Sequence, residues 1–235
     1  MKIEVSLTPA LYPFRTIKEH HVTVAIDLLR ATSAVCAAFQ AGCSTVVPLD
    51  SLKALETYRH KDYKIAAERG GRKLPGSDYG NSPTEYLRHN MSGIHLAYST
   101  TNGTVSILCG TDADLTLVGC FANITALCYR LRQENMDIVL LCSGWQNDFC
   151  IEDTLVAGAI IERLQEVGEI CGDAANMALS LWQVAKSDPY EYCQRCTHVH
   201  RLEGFGAQAD IEFAFRQDTC PVVPVLKNGE LKVEN

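Results

Sequence analysis

The chain has 235 residues, 47% of them hydrophobic and 21% charged, which is enough to bury the core of one α/β domain or of two small lobes. Its net charge of −7 at pH 7 offers no basic surface for a polyphosphate backbone, so nucleic acid is excluded as a partner. No run approaches the roughly 20 apolar residues of a membrane span, and the N-terminus lacks the basic and apolar segments of a signal peptide, so we expect a cytoplasmic protein without a membrane partner.

Short β-rich runs alternate with helical patterns along most of the chain. This alternation is typical of an α/β fold with a largely parallel sheet. Strands are predicted at residues 22–26, 45–49, 63–67, 94–98, 115–119, 138–142 and 222–226. Helices are predicted at residues 31–42, 52–58, 104–109, 122–133, 151–167, 174–186 and 191–196.

The eleven cysteines are an odd number in a chain that is not small, and several, such as Cys36, lie within apolar runs. We therefore expect reduced thiols in the core and no disulfide framework. A single C-x-x-C at Cys193 and Cys196, with His198 and His200 close by, could form half of a zinc site. Because a second C-x-x-C is missing and the segment has a helical pattern, we interpret it as structural.

The most polar stretch of the chain is residues 67–86, with the sequence AERGGRKLPGSDYGNSPTEY. It has neither helical nor strand periodicity, and such a run is costly to order unless it binds a ligand. Glycines let backbone N–H groups approach an anion, and arginines can hold an anion with two hydrogen bonds. The segment is thus predicted to be a binding loop, with a solvated basic loop as the alternative. Its candidates for anion binding are Arg69, Gly70, Gly71, Arg72 and Lys73, which follow the carboxylate of Glu68.

A carboxylate ends the strand predicted at 22–26. Asp27 follows that strand, and Arg30 lies one turn into the next helix. In an open parallel sheet, ligands bind beyond the carboxyl ends of the strands, which makes both residues candidates for a site. A structural ion pair between residues three apart is the alternative interpretation.

Two further strand ends are polar. The strand at 94–98 runs into hydroxyl and amide side chains and a glycine, which could present donors to an oxyanion; an ordinary helix cap is the alternative. The strand at 138–142 precedes Glu152 and Asp153, which open a long helix, where acids also favour the helix dipole. The candidates after residue 98 are Thr100, Thr101, Asn102, Gly103 and Thr104.

Together the four strand ends supply anion donors and oxygen ligands, a combination suited to a Mg²⁺-assisted reaction on a small phosphorylated anion. The motifs of P-loop nucleotide binding, the serine nucleophile elbow and Rossmann dinucleotide binding do not occur in the sequence. The D-x-D motif of aspartyl-phosphate phosphatases is also missing at Asp27, which Leu28 and Leu29 follow. Two mechanisms stay open: attack by Asp27 itself, or by a metal-bound water with Asp27 as ligand or base.

Five segments, in chain order, resemble the 2-phosphosulfolactate phosphatase family: VAIDLLRATSAVCAAFQAG, AERGGRKLPGSDYGNSPTEY, TTNGT, the CSGW loop leading into EDTLVAGAI, and VHRLEGFGAQADIEFAF with VVPVL. The resemblance implies a Mg²⁺-dependent acid phosphatase that hydrolyses (2R)-2-phospho-3-sulfolactate to 3-sulfolactate and phosphate in coenzyme M biosynthesis. It also implies a three-layer α/β/α fold with a largely parallel or mixed sheet, as a single unit or as two related lobes that divide near residues 120–137. A homodimer is compatible with this reading.

Inside the matched motifs, the resemblance gives roles to individual positions. Asp27, Arg30 and Glu68 are the expected catalytic residues. Asp27, Glu152 and Asp153 are the expected ligands of Mg²⁺. The small anionic phosphorylated substrate is expected to contact Arg69, Gly70, Gly71, Asn81, Ser82, Thr100, Thr101, Asn102, Gly103 and Thr104, and Asp78 also lies in a matched motif. The alternatives are a phosphatase for another small phosphorylated 2-hydroxy acid and a non-catalytic protein that binds an anionic metabolite.

Overall fold

A computed structural model describes residues 1–234. Its strands are β1 (Lys2–Ser6), β2 (His21–Ile26), β3 (Thr45–Pro48), β4 (Lys64–Arg69), β5 (Arg72–Lys73), β6 (His95–Ser99), β7 (Leu115–Gly119), β8 (Asp137–Cys142), β9 (Glu169–Cys171), β10 (Pro224–Lys227) and β11 (Glu230–Val233). Its α-helices are α1 (Ala31–Gln40), α2 (Leu52–Glu56), α3 (Pro83–Leu87), α4 (Gly103–Cys109), α5 (Ile124–Glu134), α6 (Ile151–Leu164), α7 (Gly172–Ala185), α8 (Pro189–Cys193), α9 (Thr197–Glu203) and α10 (Gln208–Ala214).

All strands belong to one sheet with the order β5-β4-β6-β3-β11-β10-β7-β2-β8-β1-β9. Two parallel sets, β4-β6-β3 and β7-β2-β8-β1-β9, are joined by the antiparallel hairpin of β10 and β11. Helices flank this sheet, and α1 is almost fully buried because its small side chains let it pack closely against its neighbours. The predicted α/β class with a largely parallel or mixed sheet is confirmed, whereas a division into two lobes near residues 120–137 stays a prediction.

The joining hairpin determines how the two parallel sets face each other. Between β3 and β7 lie three antiparallel pairings, β3–β11, β11–β10 and β10–β7. The strands of one parallel set therefore run antiparallel to those of the other when followed across the sheet. Neighbouring strands rotate by about 20–25°, and the five steps from β6 to β2 therefore turn the strand direction by roughly 100–125°. This rotation offsets most of the reversal. As a result, the carboxyl ends of β2, β4, β6 and β8 can meet on one side of the sheet.

All of the predicted strands and helices occur, most of them with ends that differ by a few residues. Each of the seven predicted strands corresponds to an observed one, and the strand at 115–119 matches β7 in full. Seven elements were not predicted, because they are short or lie in the irregular last quarter: β1, β5, β9, β11, α3, α9 and α10.

The expectation that residues 67–86 lack regular structure is wrong in part. Gly70 and Gly71 both have positive φ, so they form the two-residue turn of a hairpin between β4 and β5. Further on, Ser82 caps α3 by accepting a hydrogen bond from the backbone N–H of Glu85 at 3.1 Å, and Pro83 occupies the first helical position. The Gly-Gly and Ser-Pro pairs were the available sequence signals.

The eleven cysteines are all unpaired thiols, and nine of them are buried. Within residues 1–234, no helix combines the length and the apolar character that a membrane crossing requires.

Candidate active site

The carboxyl ends of β2, β4, β6 and β8 surround a small cavity. Asp27 follows β2, Glu68 lies near the end of β4, Thr101 follows β6, and Trp145 lies in the loop after β8; all four line this cavity. Its volume of about 20 Å³ has room for about one water molecule or one metal ion. These strand ends were the ones identified from the sequence.

Asp27 is anchored at the start of α1. Its Oδ1 accepts a hydrogen bond from the backbone N–H of Ala31 at 3.1 Å, and its side chain is buried. Burial, together with the negative charges of Glu68 and Glu152, raises the pKa of this carboxyl from 3.8 to about 6. A carboxyl group with such a pKa can exchange a proton near neutral pH.

Gly103, at the start of α4, packs directly against Asp27. A Cβ atom at this position would lie 2.6 Å from Oδ2 of Asp27 and 2.2 Å from Cβ of Ala31. Only glycine fits this approach without displacing Asp27 or α1.

Gly103→Ala is therefore expected to lower the melting temperature and the turnover number together. Overpacking of a dense interior costs about 1–3 kcal/mol of unfolding free energy, and here the displaced neighbour is a predicted catalytic group. Thermal melting and phosphate release should be measured beside Gly204→Ala, whose new Cβ would have its nearest neighbour at 3.4 Å. A Gly103→Ala protein with normal turnover would show that this packing does not position Asp27.

Glu68 joins two loops. Its Oε2 accepts a hydrogen bond from the backbone N–H of Gly71, and its Oε1 accepts one from the N–H of Thr101, both at 2.7 Å. The guanidinium of the adjacent Arg69 donates to Oγ of Ser99 at 2.9 Å and to backbone carbonyls, and it does not line the cavity. The structure thus brings Glu68 to the cavity and ties Arg69 to the sheet.

Arg30 has a different partner from the one considered in the sequence. Its Nη1 donates to Oδ2 of Asp210 at 2.7 Å, and its Nη2 donates to the carbonyl of Gly71 at 2.7 Å. Oδ1 of Asp210 accepts from the hydroxyls of Ser82 at 2.7 Å and Thr84 at 2.6 Å. The buried ion pair of Arg30 is therefore made with α10 and not with Asp27.

Asp153 holds two loops in place. Its Oδ1 accepts from the backbone N–H of Leu28 at 2.8 Å, and its Oδ2 accepts from the N–H of Gly144 at 3.0 Å. Burial, reinforced by the charges of Asp27 and Glu152, raises the pKa of Asp153 well above its ordinary value. Since each oxygen already accepts a backbone hydrogen bond, this carboxylate fixes the loops after β2 and β8.

Glu152 faces His198, which lies beside the C-x-x-C segment that the sequence predicts to be structural. Oε1 of Glu152 lies 2.8 Å from Nδ1 of His198, and Nη2 of Arg201 lies 2.7 Å from Nε2 of that imidazole. Because arginine can only donate, Nε2 is the acceptor and Nδ1 carries the proton that is donated to Glu152. The guanidinium of Arg201 also stacks on Trp145, 3.6 Å from the ring centroid.

His198 and Arg201, both on α9, were missed as site residues, as was Asp210 on α10. The available signal was their position within or beside the tail segment that carries the family resemblance. Their i, i+3 spacing places His198 and Arg201 on one face of α9.

The remaining predicted positions either line the cavity or form hydrogen bonds and ion pairs elsewhere in the fold. Asn81 and Asn102 line the cavity, and Asn81 accepts a hydrogen bond from the hydroxyl of Tyr98. Gly70 donates its N–H to Oγ1 of Thr101 at 3.4 Å. Thr100 and Thr104 bond to each other at the start of α4, Ser82 caps α3, and Asp78 pairs with Lys64 at the amino end of β4.

A second cavity, of about 340 Å³, adjoins the first. Trp145, His198 and Arg201 line both, so these three side chains form the wall between the smaller and the larger cavity. Arg195 contributes a further positive charge to the larger cavity. A ligand bigger than a single ion could extend from one to the other.

Comparison with known proteins supports the family resemblance that the sequence motifs indicate. The profile of the 2-phosphosulpholactate phosphatase family matches residues 6–229. Proteins named probable 2-phosphosulfolactate phosphatase from Caldanaerobacter subterraneus subsp. tengcongensis and Thermotoga maritima are each 33% identical to this chain, over 92% and 90% of it and 91% of each relative. A protein of the same name from Clostridium acetobutylicum is 33% identical over 92% of this chain and 95% of its own length. The family resemblance is confirmed: the chain belongs to the 2-phosphosulpholactate phosphatase family.

Proposed function

We propose that the chain is a Mg²⁺-dependent phosphatase that hydrolyses (2R)-2-phospho-3-sulfolactate to 3-sulfolactate and inorganic phosphate. The observation that carries this proposal is the convergence of Asp27, Arg30, Glu152 and Arg201 beside the strand-end cavities. Family membership supports the reaction, and the proposal extends to a cytoplasmic location, a place in coenzyme M biosynthesis and a homodimeric state.

The charges of the site suit the proposed substrate only when a cation is added. The substrate carries a phosphate, a sulfonate and a carboxylate, and the cavities already contain the carboxylates of Asp27, Glu68 and Glu152. Arg30 is neutralised by Asp210, which leaves Arg201 and Arg195 to face the substrate. This excess of negative charge would repel a ligand with three anionic groups unless a divalent cation is also bound.

The residues present fit such a cation. The hydrogen bonds from Ala31 and His198 go to Oδ1 of Asp27 and Oε1 of Glu152, so the other oxygen of each carboxylate can serve as a hard oxygen ligand. We therefore assign Mg²⁺ binding to Asp27 and Glu152, with Asp153 as the group that positions their loops. The bound ion would neutralise phosphate charge and polarise the phosphorus centre.

The chain's own side chains supply the proton transfers and the orientation. We favour attack by water, with Asp27 either as a ligand of the ion or as the base that takes a proton from the water as the new P–O bond forms and returns it to the C2 oxygen as the ester P–O bond breaks. Arg201, fixed by Trp145 and His198, would hold the phosphoryl oxygens, because an arginine fork matches their geometry. Attack by Asp27 itself is the competing mechanism.

Removal of divalent metal is expected to lower phosphate release by about tenfold or more, and added Mg²⁺ should restore it, since Arg201 and Arg195 alone cannot offset the charge of the substrate and of the site carboxylates. The measurement is phosphate release from 2-phospho-3-sulfolactate by the EDTA-treated protein, with phospholactate and phosphoglycerate as comparison substrates. Full activity after exhaustive EDTA treatment would contradict the metal dependence. Faster turnover of either comparison substrate would assign the protein to another phosphorylated 2-hydroxy acid.

A further inference from the structure

One side chain beside the larger cavity has no part in the proposed reaction. Cys150 is the residue before α6, is buried, and lines the cavity with Glu152 and His198. One ligand atom from each of these three side chains can be chosen so that all lie within 4.8 Å of one another. Within residues 1–234, no other group of three His, Cys, Asp or Glu side chains meets this condition.

We propose that Cys150, Glu152 and His198 form a binding site for a Zn²⁺-class transition-metal ion. A thiolate, an imidazole and a carboxylate are ligands that favour Zn²⁺ over Mg²⁺, since sulfur and nitrogen donors are too soft for Mg²⁺. Three protein ligands beside a cavity of about 340 Å³ leave room for a fourth ligand from solvent. The inference goes beyond the proposed phosphatase reaction, because it concerns a different ion and needs Cys150.

Binding of this ion would change the protonation of Cys150 and His198 and would move Arg201. The S–H proton of Cys150 leaves to solvent as the sulfur–metal bond forms. His198 stays neutral: its Nδ1 proton leaves, Nδ1 binds the metal, and Nε2 takes up a proton. Nε2 then no longer accepts the hydrogen bond from Arg201 that is 2.7 Å long in the free protein. Arg201 must therefore withdraw from His198.

The site shares Glu152 with the proposed Mg²⁺ site. An ion held by Cys150 and His198 would take this carboxylate and displace Arg201 from the wall between the two cavities. The expected consequence is that Zn²⁺ inhibits the Mg²⁺-supported reaction and that excess Mg²⁺ relieves the inhibition only weakly. The softer ligands account for this asymmetry.

The direct test uses Co²⁺ as a spectroscopic substitute for Zn²⁺ and does not depend on turnover. Titration of the reduced, metal-free full chain with Co²⁺ should produce a thiolate-to-cobalt charge-transfer band in the near ultraviolet, and Zn²⁺ should abolish it. Cys150→Ser should lose the band and weaken Zn²⁺ binding by about a hundredfold or more. Cys171→Ser is the matched control, because Cys171 lies outside the cavity at the end of β9, and it should keep the band.

Tryptophan emission provides a second readout. The chain has two tryptophans, so in the Trp182→Phe variant the emission comes from Trp145, on which Arg201 stacks. Zn²⁺ should change this emission as Arg201 withdraws, whereas Mg²⁺ at the same concentration should not. A band that persists in Cys150→Ser, or that is lost in Cys196→Ser alone, would overturn the proposal. The absence of any thiolate band in the wild-type protein would overturn it as well, whether or not the phosphatase reaction is found.

Discussion

Asp27→Asn is expected to lower the turnover number for 2-phospho-3-sulfolactate by about a hundredfold or more, the usual loss when an acid-base or charge-stabilising group is removed. The amide keeps the shape of the side chain, and its oxygen can still accept the hydrogen bond from Ala31. It cannot take a proton from water, and it is a weaker ligand for Mg²⁺. Turnover should be compared with that of Asp114→Asn, in which the substituted acid precedes a strand instead of following one.

The same variant is expected to change how the unfolding free energy depends on pH. Because the pKa of Asp27 is raised to about 6, the folded protein binds this proton more tightly than the unfolded chain does. The contribution of Asp27 to stability is therefore largest at low pH and is lost as the pH rises from about 4 to 6. A difference of two pKa units corresponds to roughly 3 kcal/mol. Without metal, the wild type should lose about this much stability relative to Asp27→Asn across that interval.

Chemical denaturation of both proteins at several pH values in EDTA measures this difference. Near-normal turnover of Asp27→Asn together with a lower unfolding free energy at every pH would assign Asp27 a structural role. The catalytic centre would then lie nearer to Glu68 and Glu152.

The parts of the fold and site that the sequence predicts are those carried by local pattern. Asp27 directly follows a buried strand, and Glu152 opens an amphipathic helix, so each could be placed from its neighbours in the chain. The edge of the sheet at which they meet follows from the rule that ligands bind at the carboxyl ends of parallel strands. Local pattern does not reveal that the two parallel sets run in opposite directions, because the hairpin that joins them comes last in the chain.

The side-chain partners could not be predicted, because they depend on tertiary contacts. Arg69 and Arg30 have the same chemistry, yet the first bonds to Ser99 on the neighbouring strand and the second to Asp210, 180 residues away. His198 lies in a segment whose cysteines favoured a structural interpretation. Its contact with Glu152 arises only because α9 packs across the cavity.

Asp210→Ala is expected to lower the unfolding free energy by about 3–5 kcal/mol, the loss typical of breaking a buried ion pair by removing one partner. Arg30 and Asp210 are both buried, with the charged atoms 2.7 Å apart, so the substitution leaves the guanidinium charge uncompensated. The hydroxyls of Ser82 and Thr84 lose their acceptor at the same time. Asp218→Ala is the matched control: this exposed acid accepts hydrogen bonds from Thr125, and its loss should cost about 1 kcal/mol.

A double-mutant cycle separates the cost of the unpaired charge from the cost of the lost hydrogen bonds. Arg30→Met keeps the apolar stem and removes the charge, so the double variant with Asp210→Ala should be more stable than Asp210→Ala alone. The remaining loss then measures the hydrogen bonds of Ser82 and Thr84 together with the one that Arg30 donates to the carbonyl of Gly71. If Asp210 positions Arg30 for the substrate, Asp210→Ala should also raise KM more than it lowers kcat, while Asp218→Ala changes neither. Strictly additive stability effects would show that the pair does not compensate charge. An unchanged KM would show that Asp210 does not orient Arg30 toward the substrate, in agreement with Arg201 and Arg195 as the side chains that hold the anion.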